Sequence, residues 1–335
     1  TRNGLSAPSG PIDRVVTELY GARHPLRSDL DVDRDPNSQD GIRQRKVDHL
    51  DLCAREDVEY RLTTSMLEQV RLLHQSLPEM DLADIDLSTV VAGKTLRAPL
   101  VISGMTGGAA RARDVNRGLA ELAQEAGIAL GVGSQRAMLV DPSLTDTFLV
   151  RDIAPDAVLF GNIGAVQAAQ SSTAQTADIV AAIGADALCV HLNPAQELIQ
   201  EGGDRDFRGC VDAIARLVQE LQVPVIVKET GCGMSPQTLA RIASAGVDWV
   251  DVSGAGGTTW VGVEALRAQP GRRLIGEDFW EWGIPTAASV VYARRAGRQV
   301  IASGGVRNGH DVARALALGA TACSMALPFL RSFVD

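Results

Sequence analysis

Short apolar runs alternate with longer amphipathic stretches along the chain from about residue 97 onward. Each run of Val, Ile, Leu and Ala ends in glycine or a polar residue, and a glycine usually precedes the next run. Runs of this length predict buried strands, and the stretches between them predict helices. Eight strands are predicted in this way: Pro99–Met105, Ile128–Ser134, Ala157–Gly164, Ala187–Asn193, Pro224–Thr230, Trp249–Gly254, Gln299–Gly304 and Ala322–Ala326.

Eight successive strand–helix units favour an α/β fold of the (β/α)8 TIM barrel type over an open doubly wound sheet, which remains the alternative. Nine residues follow Ala326, so the helix that would close the barrel is predicted to be short or absent. The predicted helices between the strands are Ala112–Ala126, Gln175–Ile183, Phe207–Leu221, Pro236–Ala245, Thr286–Ala296 and His310–Leu318.

The first 96 residues lack this alternation. Residues 1–44 include a charged stretch with Pro25 and Pro36, and they are predicted to form a flexible N-terminal extension. Arg45–Arg55 and Thr64–Leu77 have helical spacing. Residues 45–96 are therefore predicted to form a helical cap or lid segment on a barrel made by residues 97–335.

Charge and composition narrow the classes of function. The formal net charge of −9 argues against nucleic acid as a partner. No apolar run reaches the roughly 20 residues that span a bilayer, and no signal peptide is visible, so no membrane partner is expected. The five cysteines have no metal-type spacing, which predicts a reducing, cytoplasmic location.

Polar and glycine-rich segments follow the predicted strands rather than precede them, and in such barrels the carboxyl ends of the strands hold the active site. Tight turns alone would explain one or two of these loops. They explain poorly the segment His191-Leu-Asn-Pro-Ala-Gln-Glu197, which brings an imidazole, two amides and a carboxylate to the end of a buried strand. Burying such groups without partners costs several kcal/mol, so we expect them to face a ligand.

The last two strand loops, Ser303-Gly-Gly-Val-Arg307 and residues 319–328, fit a phosphate site, because glycines let backbone N–H groups approach an anion. A structural glycine pair is the alternative. Lys228 ends the apolar run Pro224–Val227 and needs an anionic partner if it is buried. The N1–C2=O2 edge of a reduced flavin would be one such partner, and a Schiff-base lysine is the competing chemistry.

With these residues in view, the chain resembles the type 2 isopentenyl diphosphate isomerases from about Arg45 to Phe329. Ordered matches of this number make a chance similarity very improbable. The matching segments are Arg45-Lys-Val-Asp-His49, Met105-Thr-Gly-Gly108, Gly133-Ser-Gln-Arg136, Asn162-Ile-Gly164, His191–Glu197, Gly203-Asp-Arg-Asp-Phe207, Lys228-Glu229, Gly254-Ala-Gly-Gly-Thr-Thr-Trp260, Trp282-Gly-Ile-Pro285 and Ser303–Arg307.

The resemblance implies interconversion of isopentenyl diphosphate and dimethylallyl diphosphate, with reduced FMN, Mg2+ and NADPH or NADH as the reductant of the flavin. It implies a small isoprenoid diphosphate as partner and a homo-oligomer, a tetramer or an octamer. It implies Glu197 as the metal ligand and Gln196, Lys228 and His191 as catalytic residues. The substrate positions are Arg45, Lys46, His49, Arg136, His191, Asn193 and Gln196. The FMN positions are Met105, Thr106, Gly107, Ser134, Asn162, Lys228, Ser253, Thr258, Gly305, Val306, Arg307, Ala326 and Leu327.

Three other functions are alternatives to the isomerase. An FMN-dependent 2-hydroxy acid oxidase would share the barrel, but it needs a His base and arginines, where this chain has Ser253-Gly-Ala-Gly-Gly-Thr-Thr259. An inosine monophosphate dehydrogenase-like enzyme needs a nucleophilic cysteine, for which Cys232 is the candidate. A non-catalytic FMN-binding barrel would not require Gln196 or Glu197.

Overall fold

The computed structural model describes residues 39–334 of the chain. The eight predicted strands form a closed parallel barrel in which each strand pairs with its neighbours along the chain and the last pairs with the first. The predicted barrel is therefore confirmed, and the open sheet was the wrong alternative. The barrel strands are β3 (Leu100–Ile102), β4 (Ala129–Gly131), β5 (Val158–Gly164), β6 (Ala187–Leu192), β7 (Val225–Glu229), β8 (Trp249–Asp251), β9 (Gln299–Ser303) and β10 (Ala322–Met325).

Helices surround the barrel and pack their apolar faces on it. The short strands are almost wholly buried, which fits their Val, Ile, Leu and Ala content, since strands of a parallel barrel are covered on both faces. The helices after β3 are Ala110–Ala126, Arg136–Val140, Ala165–Gln170, Thr173–Ala182, Pro194–Ile199, Cys210–Glu220, Pro236–Ser244, Trp260–Arg267, Pro270–Asp278, Thr286–Arg295, Gly309–Ala317 and Leu327–Val334.

A two-stranded hairpin closes the amino end of the barrel. It consists of β1 (Thr89–Val91) and β2 (Lys94–Leu96), which pair antiparallel. Its buried side chains belong to one apolar cluster with residues at the amino ends of the barrel strands. The predicted lid extended to residue 96, but residues 89–96 lie at the opposite end from the strand carboxyl termini and cannot cover them.

The helix Gln39–Arg55, here called the basic helix, packs against Trp260–Arg267 and against the closing helix, Leu327–Val334. It begins six residues before the expected start, so residues 39–44 are helical rather than part of a flexible extension. The remainder of that predicted extension, residues 1–38, lies outside the described residues. Arg45 and His49, one helical turn apart, are both buried on the face toward the barrel.

The helix predicted over Thr64–Leu77 was wrong. This stretch contains a 3-10 turn at Leu67–Gln69, preceded by Met66 in a left-handed conformation with φ of 57°. Leu67 is fully buried, but Leu73 and Leu77 are exposed. The helical spacing of these leucines therefore does not reflect a buried helix face.

A helix, Leu327–Val334, follows the last barrel strand and is here called the closing helix. Its eight residues bury Leu327 and Leu330. Arg331 donates a hydrogen bond to the carbonyl of Glu56, just after the basic helix. The two helices thus lie side by side at the carboxyl end of the barrel.

Candidate active site

The register of the barrel brings three functional side chains into one row. His191 on β6 pairs with Lys228 on β7, and Lys228 pairs with Asp251 on β8. All three lie at the carboxyl ends of their strands, where the sequence predicted the site. The open cavity above them extends to the basic helix and to the loops after β9 and β10.

Lys228 forms a buried ion pair, as its position after an apolar run predicted. Its Nζ lies 3.1 Å from Oδ2 of Asp251, and the two side chains are 10% and 6% exposed. Ser303 donates a short hydrogen bond to the other carboxylate oxygen. The sequence analysis expected an anionic partner for Lys228 but did not find Asp251.

The loop after β9 has the backbone geometry of an anion cradle. Gly304 and Gly305 adopt φ values of 94° and 74°, which L side chains rarely adopt. A Cβ on Gly304 would lie 1.9 Å from the carbonyl oxygen of Gly254. The loop therefore requires glycine at this position, which accounts for the motif on structural grounds. Glycine-rich turns of this kind can bring backbone N–H groups close to an anion.

A second observation also fits a large bound cofactor. The hydroxyl Oγ1 of Thr106 is buried and finds no hydrogen-bond partner within residues 39–334. Thr106 also lines a small apolar pocket that adjoins the main cavity and is lined in part by Met105, Thr258 and Leu327. An unpaired buried hydroxyl is costly, so a polar ligand atom at this position would restore the lost hydrogen bond.

His191 is held as a neutral imidazole of one tautomer. Its Nδ1 lies 2.7 Å from Oδ1 of Asn162, and Nδ2 of Asn162 donates to the carbonyl of Val132. Because an amide oxygen can only accept, Nδ1 carries the proton and Nε2 offers a lone pair. Burial lowers the pKa of His191 to about 3, and the nearby cations Lys46 and Lys228 act in the same direction.

The short helix Pro194–Ile199 and the Asn193 that precedes it present the remaining polar side chains of the His191–Glu197 segment. Asn193 donates to Oε1 of Glu197 at 2.8 Å, while Gln200 and the backbone N–H of Asp204 donate to Oε2 at 3.1 and 2.8 Å. Oε2 thus accepts two hydrogen bonds and Oε1 one. Since each carboxylate oxygen can accept two, Oε1 retains capacity for a cation.

A carboxylate that the sequence analysis missed, Glu264, supports two predicted site residues. Its Oε1 lies 2.8 Å from Nε2 of His49 and accepts a hydrogen bond from Nε2 of Gln196 at 3.2 Å. Arg267 pairs with its other oxygen at 2.7 Å. Burial alone would raise the pKa of Glu264, but the contact with His49, the charge of Arg267 and the hydrogen bond from Gln196 hold it well below its ordinary value.

Three cations line the cavity opposite the strand ends: Arg45 and Lys46 on the basic helix, and Arg136 after β4. Burial lowers the pKa of Lys46 to about 8, and repulsion from Arg45 and Arg136 adds to the effect. Burial likewise lowers the pKa of Arg45, although the negative charge of Glu264 acts in the opposite direction. Positive charges concentrated in this way form a site for a polyanion, which would relieve their repulsion.

Most of the predicted site residues line this single cavity. Thr106 faces the adjoining apolar pocket, whereas Gly107 lines neither and is needed because a Cβ there would collide with the ring of Phe148. Arg307 lies at the edge, where its guanidinium pairs with Glu59. The predicted residues that line the main cavity are Arg45, Lys46, His49, Met105, Ser134, Arg136, Asn162, His191, Asn193, Gln196, Glu197, Lys228, Ser253, Thr258, Gly305, Val306, Arg307, Ala326 and Leu327.

The structure argues against the cysteine-based rival. Burial raises the pKa of Cys232 to about 12, with the carboxylate of Glu229 adding to the shift. A thiol in this state is a poor nucleophile at neutral pH. Cys232 also does not line the cavity.

Among the described residues, no group of three or more His, Cys, Asp or Glu side chains could hold a metal ion on its own.

Comparison with known proteins agrees with this site. The FMN-dependent dehydrogenase family matches residues 38–190 and 190–333. Isopentenyl-diphosphate delta-isomerases of Methanosarcina mazei, Methanoregula boonei and a Synechococcus species are 47%, 49% and 49% identical to the chain. These matches cover 86%, 87% and 88% of this chain and 80%, 82% and 85% of the relatives.

Among solved structures, the inosine 5′-monophosphate dehydrogenase of Legionella pneumophila matches with a TM-score of 0.53 and 17% identity. The match covers 78% of this chain and 68% of that protein, and it supports the barrel fold alone. None of the helices in residues 39–334 is long and apolar enough to cross a membrane. On the family match and the close relatives together, the chain belongs to the isopentenyl-diphosphate delta-isomerases within the FMN-dependent dehydrogenase family.

Proposed function

We propose that the cavity binds FMN against the strand ends and an isoprenoid diphosphate beneath the basic helix, and that it interconverts isopentenyl and dimethylallyl diphosphate. One observation carries this proposal: a glycine cradle, a buried lysine, a cluster of three cations and a carboxylate share one cavity. The cradle and Lys228 fit a phosphorylated flavin. The cations and Glu197 fit a diphosphate with its metal ion.

The residues proposed to hold FMN surround the carboxyl ends of β3, β4, β5, β7 and β8 and the loops of the last two strands. Reduced FMN, when bound, supplies the acid–base group for this isomerisation. Lys228 would compensate negative charge at the ring, and Thr106 would satisfy its buried hydroxyl on the cofactor. The proposed contacts also include Met105, Ser134, Asn162, Ser253, Thr258, Gly305, Val306, Ala326 and Leu327, together with the backbone around Gly107 and Arg307.

The proposed diphosphate site combines Arg45, Lys46 and Arg136 with a Mg2+ ion on Glu197. Mg2+ commonly takes one or two carboxylates and completes its shell with phosphate oxygens and water. The single free position on Oε1 of Glu197 suits this mode. Asn193 orients the carboxylate, and the pairing of His49 with Glu264 stabilises the basic helix over the site.

The isomerisation adds a proton to the terminal methylene carbon of the isopentenyl group and removes one from the carbon next to the oxygen-bearing CH2. Neither Gln196 nor His191 is an acid strong enough to protonate an unactivated alkene. We propose that His191 accepts hydrogen bonds through Nε2, and that Gln196, fixed between Asn193 and Glu264, orients the substrate or relays a proton.

The rest of the proposed function follows the resemblance and the composition. NADPH or NADH would reduce the flavin and would not be consumed in the isomerisation. The enzyme would act in the cytoplasm as a homo-oligomer, a tetramer or an octamer. The 2-hydroxy acid oxidase rival receives no support, because the loop after β8 contains neither His nor Arg.

The decisive test combines spectroscopy with product analysis. The purified protein should show the absorption bands of oxidised flavin, and dithionite should bleach them. The reduced protein with Mg2+ should then convert isopentenyl diphosphate into dimethylallyl diphosphate, while the oxidised protein should not. A flavin-containing protein with no isomerase activity would favour the non-catalytic barrel, and oxidation of a 2-hydroxy acid would favour the oxidase.

We predict that Lys228→Ala weakens FMN retention and lowers the reduction potential of the bound flavin, because a cation beside the ring favours the reduced, more negative form. If the preference for reduced over oxidised FMN falls tenfold, the reduction potential of a two-electron couple falls by about 30 mV. Spectroelectrochemical titration measures this shift. Lys94→Ala, which removes a lysine at the opposite end of the barrel, is the control and should leave the potential unchanged. An unaltered potential in Lys228→Ala would remove Lys228 from the flavin site.

The lowered pKa of Lys46 predicts a pH effect on catalysis. Since its folded-state pKa is about 8, Lys46 is charged below that pH and loses its charge as the pH rises through it. Without that cation, kcat/KM should fall about tenfold above pH 8, because a charge-assisted hydrogen bond contributes about 1.5–3 kcal/mol. Lys46→Arg should abolish this decline, because arginine stays protonated. Lys94→Arg is the matched control, and a decline that persists in Lys46→Arg would assign the titration to another group.

A further inference from the structure

Asp251, the buried partner of Lys228, is a charged residue to which the family resemblance gives no role. The two residues are direct neighbours across β7 and β8, and both are buried. Asp251 does not line the cavity, whereas Lys228 does. The carboxylate therefore lies behind the ammonium group as seen from the cavity.

Ser303 fixes the far side of the Asp251 carboxylate. Its hydroxyl donates to Oδ1 of Asp251 and accepts a hydrogen bond from the backbone N–H of Ser253 at 3.1 Å. Ser303 also directly precedes the glycine pair of the proposed phosphate cradle, and Thr286 donates to the carbonyls of Ser303 and Gly304. Asp251 is thus held from both sides, between the lysine and the cradle.

This arrangement has an electrostatic consequence. A lone buried ammonium would project its full charge into the cavity, whereas an ammonium 3.1 Å from a carboxylate belongs to a pair that is neutral as a whole. The distance and rigidity of the pair then decide how much positive potential a ligand in the cavity experiences. Neither Lys228 nor Asp251 needs to move for this effect.

We propose that Asp251 is a positioning residue that acts through Lys228, holding its ammonium group in place and setting how strongly it favours the reduced form of the bound flavin. This inference rests on the proposed function, because it requires FMN beside Lys228. It adds to that function an assignment for Asp251 and, through it, for Ser303. It also predicts that removing the carboxylate has the opposite effect to removing the lysine.

The test uses the FMN-loaded protein and the midpoint potential of its flavin. Asp251→Asn keeps the size of the side chain and a hydrogen-bond acceptor for Lys228, but removes the charge. In this variant the preference for reduced over oxidised FMN should be about tenfold greater than in the wild type. The midpoint potential of the flavin should therefore rise by about 30 mV. Lys228→Met should lower the potential. Asp186→Asn is the matched control, because Asp186 pairs with Lys94 at 3.2 Å at the opposite end of the barrel, and it should have no effect.

The double variant decides whether Asp251 acts through Lys228. In a Lys228→Met background, Asp251→Asn should produce less than half of its shift in the wild-type background. An equal shift in both backgrounds would mean that Asp251 acts directly on the flavin and would overturn the positioning role. If Lys228→Met shifts the potential and Asp251→Asn does not, the inference fails while the proposed flavin site stands. If neither shifts it, the flavin placement itself fails.

Ser303→Ala gives an independent test should Asp251→Asn not fold. Loss of the serine hydroxyl leaves the carboxylate with one hydrogen-bond donor fewer, so its charge acts more fully on Lys228. The potential should then fall rather than rise. A rise in Ser303→Ala, in a protein that retains its FMN, would contradict the inference.

Discussion

Glu197→Gln should reduce Mg2+-dependent isomerase activity at least about 100-fold, which is about 2.7 kcal/mol of transition-state stabilisation, while FMN binding stays intact. The amide keeps the shape of the side chain and can still accept hydrogen bonds from Gln200 or Asp204. It is, however, a poor ligand for Mg2+, which prefers a carboxylate with phosphate oxygens. Initial rates at several Mg2+ concentrations, together with the flavin spectrum, measure the effect.

Glu201→Gln is the matched control for this variant. Glu201 lies four residues after Glu197, just beyond the same short helix, and it is exposed. Its substitution should therefore leave both activity and metal dependence at wild-type levels. Wild-type activity with wild-type sensitivity to chelators in Glu197→Gln would overturn the assignment of Glu197 as the metal ligand. Thermal unfolding of both variants shows whether the loop that Glu197 supports is still folded.

The double variant Arg45→Ala with Lys46→Ala should raise the KM for isopentenyl diphosphate about 100-fold or more and leave the flavin spectrum and FMN affinity unchanged. Two charge-assisted contacts to phosphate at about 1.5–3 kcal/mol each account for an effect of this size. In the structure both side chains line the cavity from the basic helix, on the side away from the strand ends. Steady-state rates over a range of substrate concentrations separate KM from kcat.

A charge-matched control distinguishes a local contact from a change in overall charge. Arg55→Ala with Arg71→Ala also removes two cations, one at the end of the basic helix and one in the exposed stretch beyond it. That variant should keep a wild-type KM at moderate ionic strength, where exposed charges are screened. A wild-type KM in the Arg45 and Lys46 variant would instead leave Arg136 and His191 as the main diphosphate contacts.

The barrel could be predicted from the sequence because each strand is a buried run with its own glycine boundary. The information that defines such a strand is local, so all eight were identified without knowledge of their partners. The stretch Thr64–Leu77 shows where this approach fails. Its leucines have helical spacing, but Ser65 lies against Gly256 and Gly305 in the loops after β8 and β9. The carbonyl of Ser65 also accepts a hydrogen bond from the backbone N–H of Ala287, in the helix Thr286–Arg295. Packing on distant loops, rather than local preference, decides its conformation.

The residues of the active site also divide into those that the local sequence reveals and those that it does not. His191, Asn193, Gln196 and Glu197 stand together in seven residues, so their polarity at a strand end is visible in the sequence. Glu264 was missed because its partner His49 lies 215 residues away, although a carboxylate among the buried residues of Trp260–Arg267 was a usable signal. Asp251 is likewise a charged residue at the end of a buried strand. It was missed because the sequence alone does not show that Lys228 is its partner.

The packing of the basic helix on the closing helix constrains the order in which the protein can assemble during synthesis. β3 lies near the start of the described chain, yet it pairs with β10, and the basic helix rests on Leu327–Val334. Neither contact can form until residues beyond 320 have left the ribosome. Arg45 and Lys46 therefore remain without their final surroundings until β10 and the closing helix have been made. A nascent chain stalled before β10 should not acquire the diphosphate site, even if several strand–helix units are already compact.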